Sequence, residues 1–182
     1  MKSLNFAIVL LSIVAIGLSW SASARQWNAT PEAKAQEYLK IIDQRPNNEI
    51  VLVVWLAPAM IKNSAATKQL REVLEDYFLF GVTHVKVDNV GQFTFKNVSS
   101  PRLKPFNGES EAPIDTQQLP PAISGMVTTI QKTFQKLLGP LGKGVKWYIF
   151  DGKQLQSCGE GGFWIPYANT NYEFRTPVPG CP

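Results

Sequence analysis

The sequence predicts an α+β fold: a mixed or antiparallel sheet, helices packed on one face of it, and a C-terminal β-hairpin stapled by a disulfide. Three observations support this class. Strand-like and helical segments in the middle of the chain follow the order β, α, β, β, α, β, which ferredoxin-like folds share. The helical segments carry their apolar residues on one face. Two cysteines, Cys158 and Cys181, bracket an aromatic stretch at the end of the sequence.

The first 24 residues have the features of a secretory signal peptide. Lys2 precedes a mainly apolar run over residues 6–18, and Ala22-Ser23-Ala24 forms an A-x-A cleavage site. The run is shorter than the roughly 20 apolar residues that span a bilayer. We therefore expect cleavage after Ala24 and export to the periplasm or the secreted fraction. Residues 25–182 would then form a single α+β domain with no integral membrane span.

Export also determines how the two cysteines are interpreted. In an oxidising compartment, Cys158 and Cys181 are expected to form a disulfide rather than a metal or redox site. Closing the loop between them would stabilise the folded state by about 3 kcal/mol. The pair is therefore predicted to hold the end of the chain in place.

The first three predicted elements rest on local signals. Thr30-Pro31 is an N-cap followed by a first-turn proline, which predicts a helix over residues 31–44. Residues 50–56 are apolar at every position, as in a central strand covered on both faces. Asn63 or Ser64 caps a second helix, which Gly81 ends. Its apolar face consists of Leu70, Val73, Leu74, Tyr77 and Phe78.

The elements that follow alternate between strand and helix signals. Residues 82–88 and 92–96, joined by a turn at 89–91, predict a half-exposed hairpin. No periodicity survives over residues 98–119, so this loop is either functional or disordered. The later predicted elements are a helix from Pro120-Pro121 to Gly139-Pro140, a strand over 145–150, a turn at Asp151-Gly152 and a return strand over 153–157.

The terminal hairpin is predicted to have one buried and one outward face. Phe163, Ile165 and Tyr167 alternate along one strand, and Tyr172 and Phe174 along the next, so these rows are expected to pack on the core. Trp164 and Pro166 then point outward. Either the loop at 98–119 or the segment at 176–180 covers Trp164, or the indole is displayed as an anchor for a partner. The candidate binding residues are Trp164, Pro166, Tyr167 and Tyr172.

A second candidate site lies on one predicted strand. His84, Lys86 and Asp88 alternate with valines and should project from the same side of the sheet. Lys86 and Asp88 could tune His84 as a general base. The interpretation we favour is a solvated face of an edge hairpin, where charges discourage aggregation.

Composition and motifs exclude several function classes. The net charge of +4 comes without a cluster of Lys and Arg, so we expect no nucleic-acid partner. His84 is the sole histidine, which disfavours a zinc site once the cysteines are oxidised. Gly142-Lys143-Gly144 has no Ser or Thr for a phosphate loop. We expect neither a cofactor nor a metal.

Two function classes remain. The leading hypothesis is an exported, non-catalytic binding or interaction module of the cell envelope, with an envelope or secreted protein as partner. It rests on the scarcity of catalytic groups and on the rigid aromatic end of the chain. The alternative is a small exported hydrolase that uses paired acids. Its candidate acids are Glu109, Glu111, Asp115, Asp151 and Glu160.

Overall fold

A computed structural model describes residues 37–45, 48–61, 64–179 and 181, with backbone alone for 41–45 and 154. The predicted signal peptide and the first six residues of the predicted N-terminal helix lie outside these ranges. The strands are β1 Leu39–Arg45, β2 Glu49–Leu56, β3 Tyr77–Val87, β4 Phe93–Phe95, β5 Lys104–Pro105, β6 Lys146–Asp151, β7 Gly161–Tyr167 and β8 Thr170–Thr176. The α-helices are α1 Lys68–Asp76, α2 Pro121–Leu138 and α3 Pro140–Lys143. Short 3-10 helices occupy Pro58–Met60, Ala65–Thr67, Thr116–Gln118 and Gly152–Gln154.

The strands form two antiparallel sheets, so the α+β prediction is confirmed. In the larger sheet the order is β1-β2-β3. On the side of β3 away from β2, β6 pairs with the first half of β3 and β4 pairs with its end. The smaller sheet has the order β5-β7-β8. The predicted chain order is present, but β2 and β3 are antiparallel neighbours. A split βαβ unit is therefore absent from the described sheet, and the pairing differs from that of ferredoxin-like folds.

The elements are arranged in three layers. Leu74 of α1 and Ile123 and Ile130 of α2 pack with Leu79 and Ile149 on one face of the larger sheet, as predicted. Aromatic side chains fill the space between the opposite face and the smaller sheet. Their rings meet at centroid distances of 4.8 to 6.3 Å, mostly edge to face, and belong to Trp55, Phe78, Phe80, Phe150, Phe163 and Phe174. The terminal hairpin thus supplies two of the three strands of a second sheet that closes the core.

The prediction of a helix over residues 31–44 is wrong from Leu39 onward, although Glu37 and Tyr38 are helical. Leu39 to Arg45 form β1, which pairs antiparallel with β2. Leu39 lies opposite Val54 and packs on the helical side of the sheet. The edge of β2 offers a row of backbone hydrogen-bonding groups, and pairing with them outweighs the helical preference of this short segment.

The second helix ends earlier than predicted. α1 ends at Asp76, and Tyr77 to Val87 form β3, the longest strand of the sheet. Gly81 therefore lies in the middle of a strand. A Cβ atom there would lie 2.7 Å from methyl carbons of both Val54 and Val145, so close packing and not helix termination explains this glycine.

The C-terminal third of the chain follows the prediction in most respects. Helix α2, strand β6 and both strands of the terminal hairpin are confirmed. The predicted return strand over 153–157 is wrong, because Gly152–Gln154 is a 3-10 helix whose first residue packs against the Asp76 carbonyl. The predicted disulfide is present and joins Cys158 to Cys181.

Candidate functional site

The outer face of the smaller sheet presents the aromatic residue that the sequence predicted to point outward. Along β7, Phe163, Ile165 and Tyr167 are buried, whereas Trp164 is half-buried and Pro166 is exposed. Lys104 of β5 and Glu173 of β8 lie opposite Trp164 on either side. The indole therefore stands at the centre of a cross-strand row between a cation and an anion.

Three contacts hold the Trp164 indole in place. The Phe106 ring lies against it at a centroid distance of 4.2 Å. The Lys104 ammonium is 6.0 Å from its centroid, and the indole N–H donates to the Glu173 carboxylate. Arg175 also binds this carboxylate and, as the largest cause, lowers the pKa of Glu173. The indole is fixed, with part of its surface left open.

Phe106 reaches Trp164 because the neighbouring β7 residue has no side chain. The Phe106 N–H donates to the Gly162 carbonyl at 2.9 Å, and a Cβ on Gly162 would lie 2.6 Å from the Phe106 ring. Phe106 belongs to the segment predicted as a long loop. That segment thus covers one side of Trp164 without enclosing it, a state between the two predicted alternatives.

Tyr167 and Tyr172 are placed on the opposite face of the smaller sheet. Tyr167 is 7% exposed and Tyr172 is 2% exposed, and both belong to the aromatic core. Among the four candidate binding residues, only Trp164 and Pro166 lie on the outer face. The alternation of the strand predicted this separation, and the side chains obey it.

His84 is buried and not on a solvated face. It is 8% exposed, because the smaller sheet covers the end of β3. Its Nε2 atom lies 2.8 Å from Oε2 of Glu49, and its Nδ1 atom lies 3.1 Å from the Tyr167 hydroxyl. Lys96 binds the other oxygen of Glu49. The result is a polar chain, Tyr167–His84–Glu49–Lys96, that runs from the buried Tyr167–His84 contact between the two sheets to Lys96 at the surface.

The two partners of Glu49 shift the pKa of its carboxyl. The hydrogen bond from Lys96, followed by that with His84, holds the pKa of the Glu49 carboxyl below its usual value. Sequence reasoning missed Glu49, since it lies 35 residues from His84 and the register between β2 and β3 joins them. The one sequence signal that could have identified Glu49 was an isolated acidic residue at the start of an apolar strand.

Lys86 and Asp88 do not join His84 in a site. Both residues are exposed, and neither forms a hydrogen bond or ion pair with His84 among the described residues. The Asp88 carboxylate accepts from the backbone N–H groups of Val90 and Gln92, at 2.9 and 2.8 Å. Asp88 therefore stabilises the turn between β3 and β4.

The candidate acids are dispersed. Glu109 is exposed, Asp115 accepts from the Gln117 N–H at the start of a 3-10 helix, and Glu160 lines a surface cavity of about 230 Å³. Only Glu111 and Asp151 interact. Burial, and then the charge of Asp151, raises the pKa of Glu111.

The described part of the chain contains neither a cluster of metal-binding side chains nor a helix suited to a membrane. Within residues 37–45, 48–61, 64–179 and 181, no three or more His, Cys, Asp or Glu side chains are grouped so as to hold a metal ion. Among the helices of these same residues, none has the length and apolar character needed to cross a membrane.

The comparisons with known proteins gave no relative. The chain matches no protein-family model, no curated protein and no solved structure. The Cys158–Cys181 disulfide indicates that the protein folds in an oxidising compartment outside the cytoplasm.

Proposed function

We propose that this protein is an exported, non-catalytic binding module. Its binding surface is the Trp164 face, defined as Lys104, Phe106, Trp164, Pro166 and Glu173 on the outside of the smaller sheet. The observation that carries the proposal is the state of Trp164, which is held by three neighbours and yet partly open. The predicted signal peptide and the disulfide support export to the cell envelope or the secreted fraction.

The chemistry of the Trp164 face suits a protein partner. Tryptophan and tyrosine dominate interface energetics, because they offer a large apolar area at a small cost in side-chain entropy. Lys104 and Glu173 flank the indole with opposite charges, so a partner needs a matching polar rim. We expect an envelope or secreted protein that inserts an apolar group beside the indole.

Preorganisation supports the same conclusion. The buried side of the smaller sheet packs on the aromatic core through Phe163 and Phe174, and the disulfide closes the segment from Cys158 to Cys181. A surface that is ordered before binding avoids much of the entropy cost of association. Rigidity of this kind is characteristic of an interface anchor.

The test uses the oxidised mature protein and its Trp164→Ala variant as parallel baits in native envelope extract. Each protein retained by the wild type and lost by the variant is then purified, and its dissociation constant is measured by calorimetry. For a hot-spot residue, we expect the variant to bind about 30-fold more weakly or worse. Leu137→Ala is the matched control, since Leu137 is an exposed apolar residue of α2 on the other side of the larger sheet.

The stability of Trp164→Ala has to be measured together with its affinity, so that a loss of binding can be distinguished from a loss of folding. If Trp164→Ala weakens binding while its free energy of unfolding stays within about 1 kcal/mol of the wild type, the proposal is supported. Because Trp164 is only half-buried, its removal should cost less than the 3 to 5 kcal/mol typical of a buried Trp. Equal affinity of the wild type and Trp164→Ala for every captured protein would contradict it.

A small hydrolase is the second candidate, and one observation favours it. The raised pKa of Glu111 beside Asp151 is the pattern expected of paired acids, one of which keeps its proton. The test is release of reducing sugar from oligosaccharides by the wild type, Glu111→Gln and Asp151→Asn. Activity in the wild type that both variants lose would support hydrolysis. Activity unchanged in both variants, or absent from the wild type, would end this candidate.

A further inference from the structure

A cavity of about 330 Å³ lies beside the disulfide, and none of its lining residues belongs to the Trp164 face. It is bounded by helix α1, by the 3-10 helix at Pro58–Met60 and by the segment that leads to Cys158. Its volume is at the lower end of the range for ligand sites in proteins. The cavity therefore suits a small molecule rather than a peptide or an extended chain.

The floor of the cavity is apolar. Leu74 and Phe78 are each 4% exposed and belong to the packed core, and Leu155 and Pro58 complete the apolar lining. Cys158 forms part of the wall, and its disulfide to Cys181 fixes that wall. An apolar group placed here would contact these buried side chains and lose part of its exposure to water.

Two opposite charges stand at the same cavity, one helical turn apart. Arg71 and Glu75 of α1 both line it. Residues four apart on a helix usually face each other and often pair. Lys68 and Glu72 on the same helix do pair, at 3.8 Å, whereas Arg71 and Glu75 make no ion pair with any residue of the described chain.

A hydrogen bond orients Arg71, and no carboxylate in the described part of the chain neutralises it. One terminal nitrogen, Nη1, donates to the Ile61 carbonyl at 2.9 Å. A guanidinium has five N–H donors, so this one bond leaves donors for a carboxylate. The Glu75 side chain is exposed and can accept from an ammonium group.

We propose that this cavity is a binding site for a free α-amino acid with an apolar or aromatic side chain. The ligand carboxylate binds Arg71, its ammonium group binds Glu75, and its side chain occupies the space above Leu74 and Phe78. A zwitterion matches the site because Glu75 would repel a simple carboxylate bound at Arg71, and Arg71 would repel a simple amine bound at Glu75. The site is independent of the Trp164 face.

The test is calorimetric titration of the oxidised mature protein with L-phenylalanine and L-leucine. Three probes separate the contributions: 3-phenylpropanoate lacks the ammonium group, phenethylamine lacks the carboxylate, and L-aspartate lacks the apolar side chain. We expect L-phenylalanine or L-leucine to bind at least tenfold more tightly than each of the three. Equal binding of 3-phenylpropanoate would overturn the assignment to a zwitterion, and absence of binding by both amino acids would overturn the site.

Matched variants of one helix complete the experiment. Arg71→Gln and Glu75→Gln should each weaken amino-acid binding at least tenfold, and Arg71→Lys should recover part of the loss. Lys68→Gln and Glu72→Gln are the controls, since that pair lies outside the cavity, and they should leave binding unchanged. Trp164→Ala should also leave it unchanged, which separates this site from the proposed binding surface. Equal affinity in Arg71→Gln and Lys68→Gln would overturn the proposal.

Discussion

His84 and Glu49 form a partly buried contact between neighbouring strands, with Nε2 of His84 and Oε2 of Glu49 2.8 Å apart. Lys96 binds the same carboxylate, and the Tyr167 hydroxyl binds the other ring nitrogen of His84. The contact joins β2 and β3 of the larger sheet, and Tyr167 extends it to β7 of the smaller one. In this arrangement the sole histidine of the chain ties the two sheets together.

The loss of folding stability at low pH should depend on Glu49. Lys96 and His84 hold the pKa of Glu49 below its usual value of 4.5. A carboxyl with a lowered folded-state pKa contributes stability that is complete above the unfolded-state value and is lost as the pH falls through the folded-state value. As the pH falls below 4.5, the free energy of unfolding should therefore decrease more in the wild type than in Glu49→Gln.

Urea unfolding at a series of pH values between neutrality and strong acid checks this prediction. The control is Glu109→Gln, which alters an exposed acid and should keep the wild-type profile. If Glu49→Gln loses stability below pH 4.5 as steeply as the wild type does, Glu49 does not carry this part of the acid response.

The Tyr167 hydroxyl should stabilise the fold through His84. Tyr167→Phe keeps the ring in the core and removes the hydroxyl 3.1 Å from Nδ1 of His84. A buried polar atom that loses its partner costs about 1 to 3 kcal/mol. Tyr77→Phe is the control, since no hydrogen bond to the Tyr77 hydroxyl occurs among the described residues, and it should cost less than about 0.5 kcal/mol. Equal losses in the two variants would assign no role to the His84 contact.

Substitution by alanine should change the stability of the protein in opposite directions at two glycines, Gly81 and Gly125. At Gly81, the new Cβ would lie 2.7 Å from methyl carbons of Val54 and Val145, and overpacking of this kind costs about 1 to 3 kcal/mol. At Gly125, in helix α2, no atom beyond its chain neighbours and the adjacent helix backbone lies within 4 Å of the new Cβ. Alanine there should stabilise the protein by up to about 1 kcal/mol through its helix propensity. Thermal or urea unfolding should give opposite signs, and two changes of the same sign would contradict the packing explanation.

Gly81 also illustrates which parts of the fold local sequence encodes. Helix α2 was predicted correctly because proline and glycine mark its ends and its apolar stripe has one period. Strand β2 was predicted because both of its faces are apolar. Helix α1 and strand β3 are joined without a break. The apolar residues Tyr77 and Phe78 at the junction fit the helical period as well as a strand, so Gly81 was wrongly predicted to end the helix.

Contacts between segments distant in the sequence could not be predicted from local sequence patterns. Strand β1 depends on the edge of β2 for its hydrogen bonds, so its helical signal was misleading. Glu49 reaches His84 through strand register, and Tyr167 reaches it across 83 residues. By contrast, alternation along the terminal hairpin correctly separated Trp164 from Phe163 and Ile165, because that pattern depends on a single strand.

Tyr38 should control stability at alkaline pH. Its hydroxyl donates to the Pro179 carbonyl at 2.5 Å and is buried beside Trp55, which links the start of the described chain to the segment closed by the disulfide. Burial, and then the charge of Glu37, raises the pKa of Tyr38 from 10.0 to about 12. The folded state therefore keeps the proton over a pH range in which the unfolded chain releases it.

The sign of the effect follows from proton binding. Above pH 10 the unfolded state binds fewer protons than the folded state at Tyr38, so stability falls as the pH rises from 10.0 towards about 12. Tyr38→Phe removes this component and, at neutral pH, should cost about 0.5 to 1.5 kcal/mol for the lost hydrogen bond to Pro179. Urea unfolding at pH 7 and across the alkaline range, with Tyr77→Phe as control, measures both effects. If Tyr38→Phe and the wild type decline equally above pH 10, the ionisation of Tyr38 is not what limits alkaline stability.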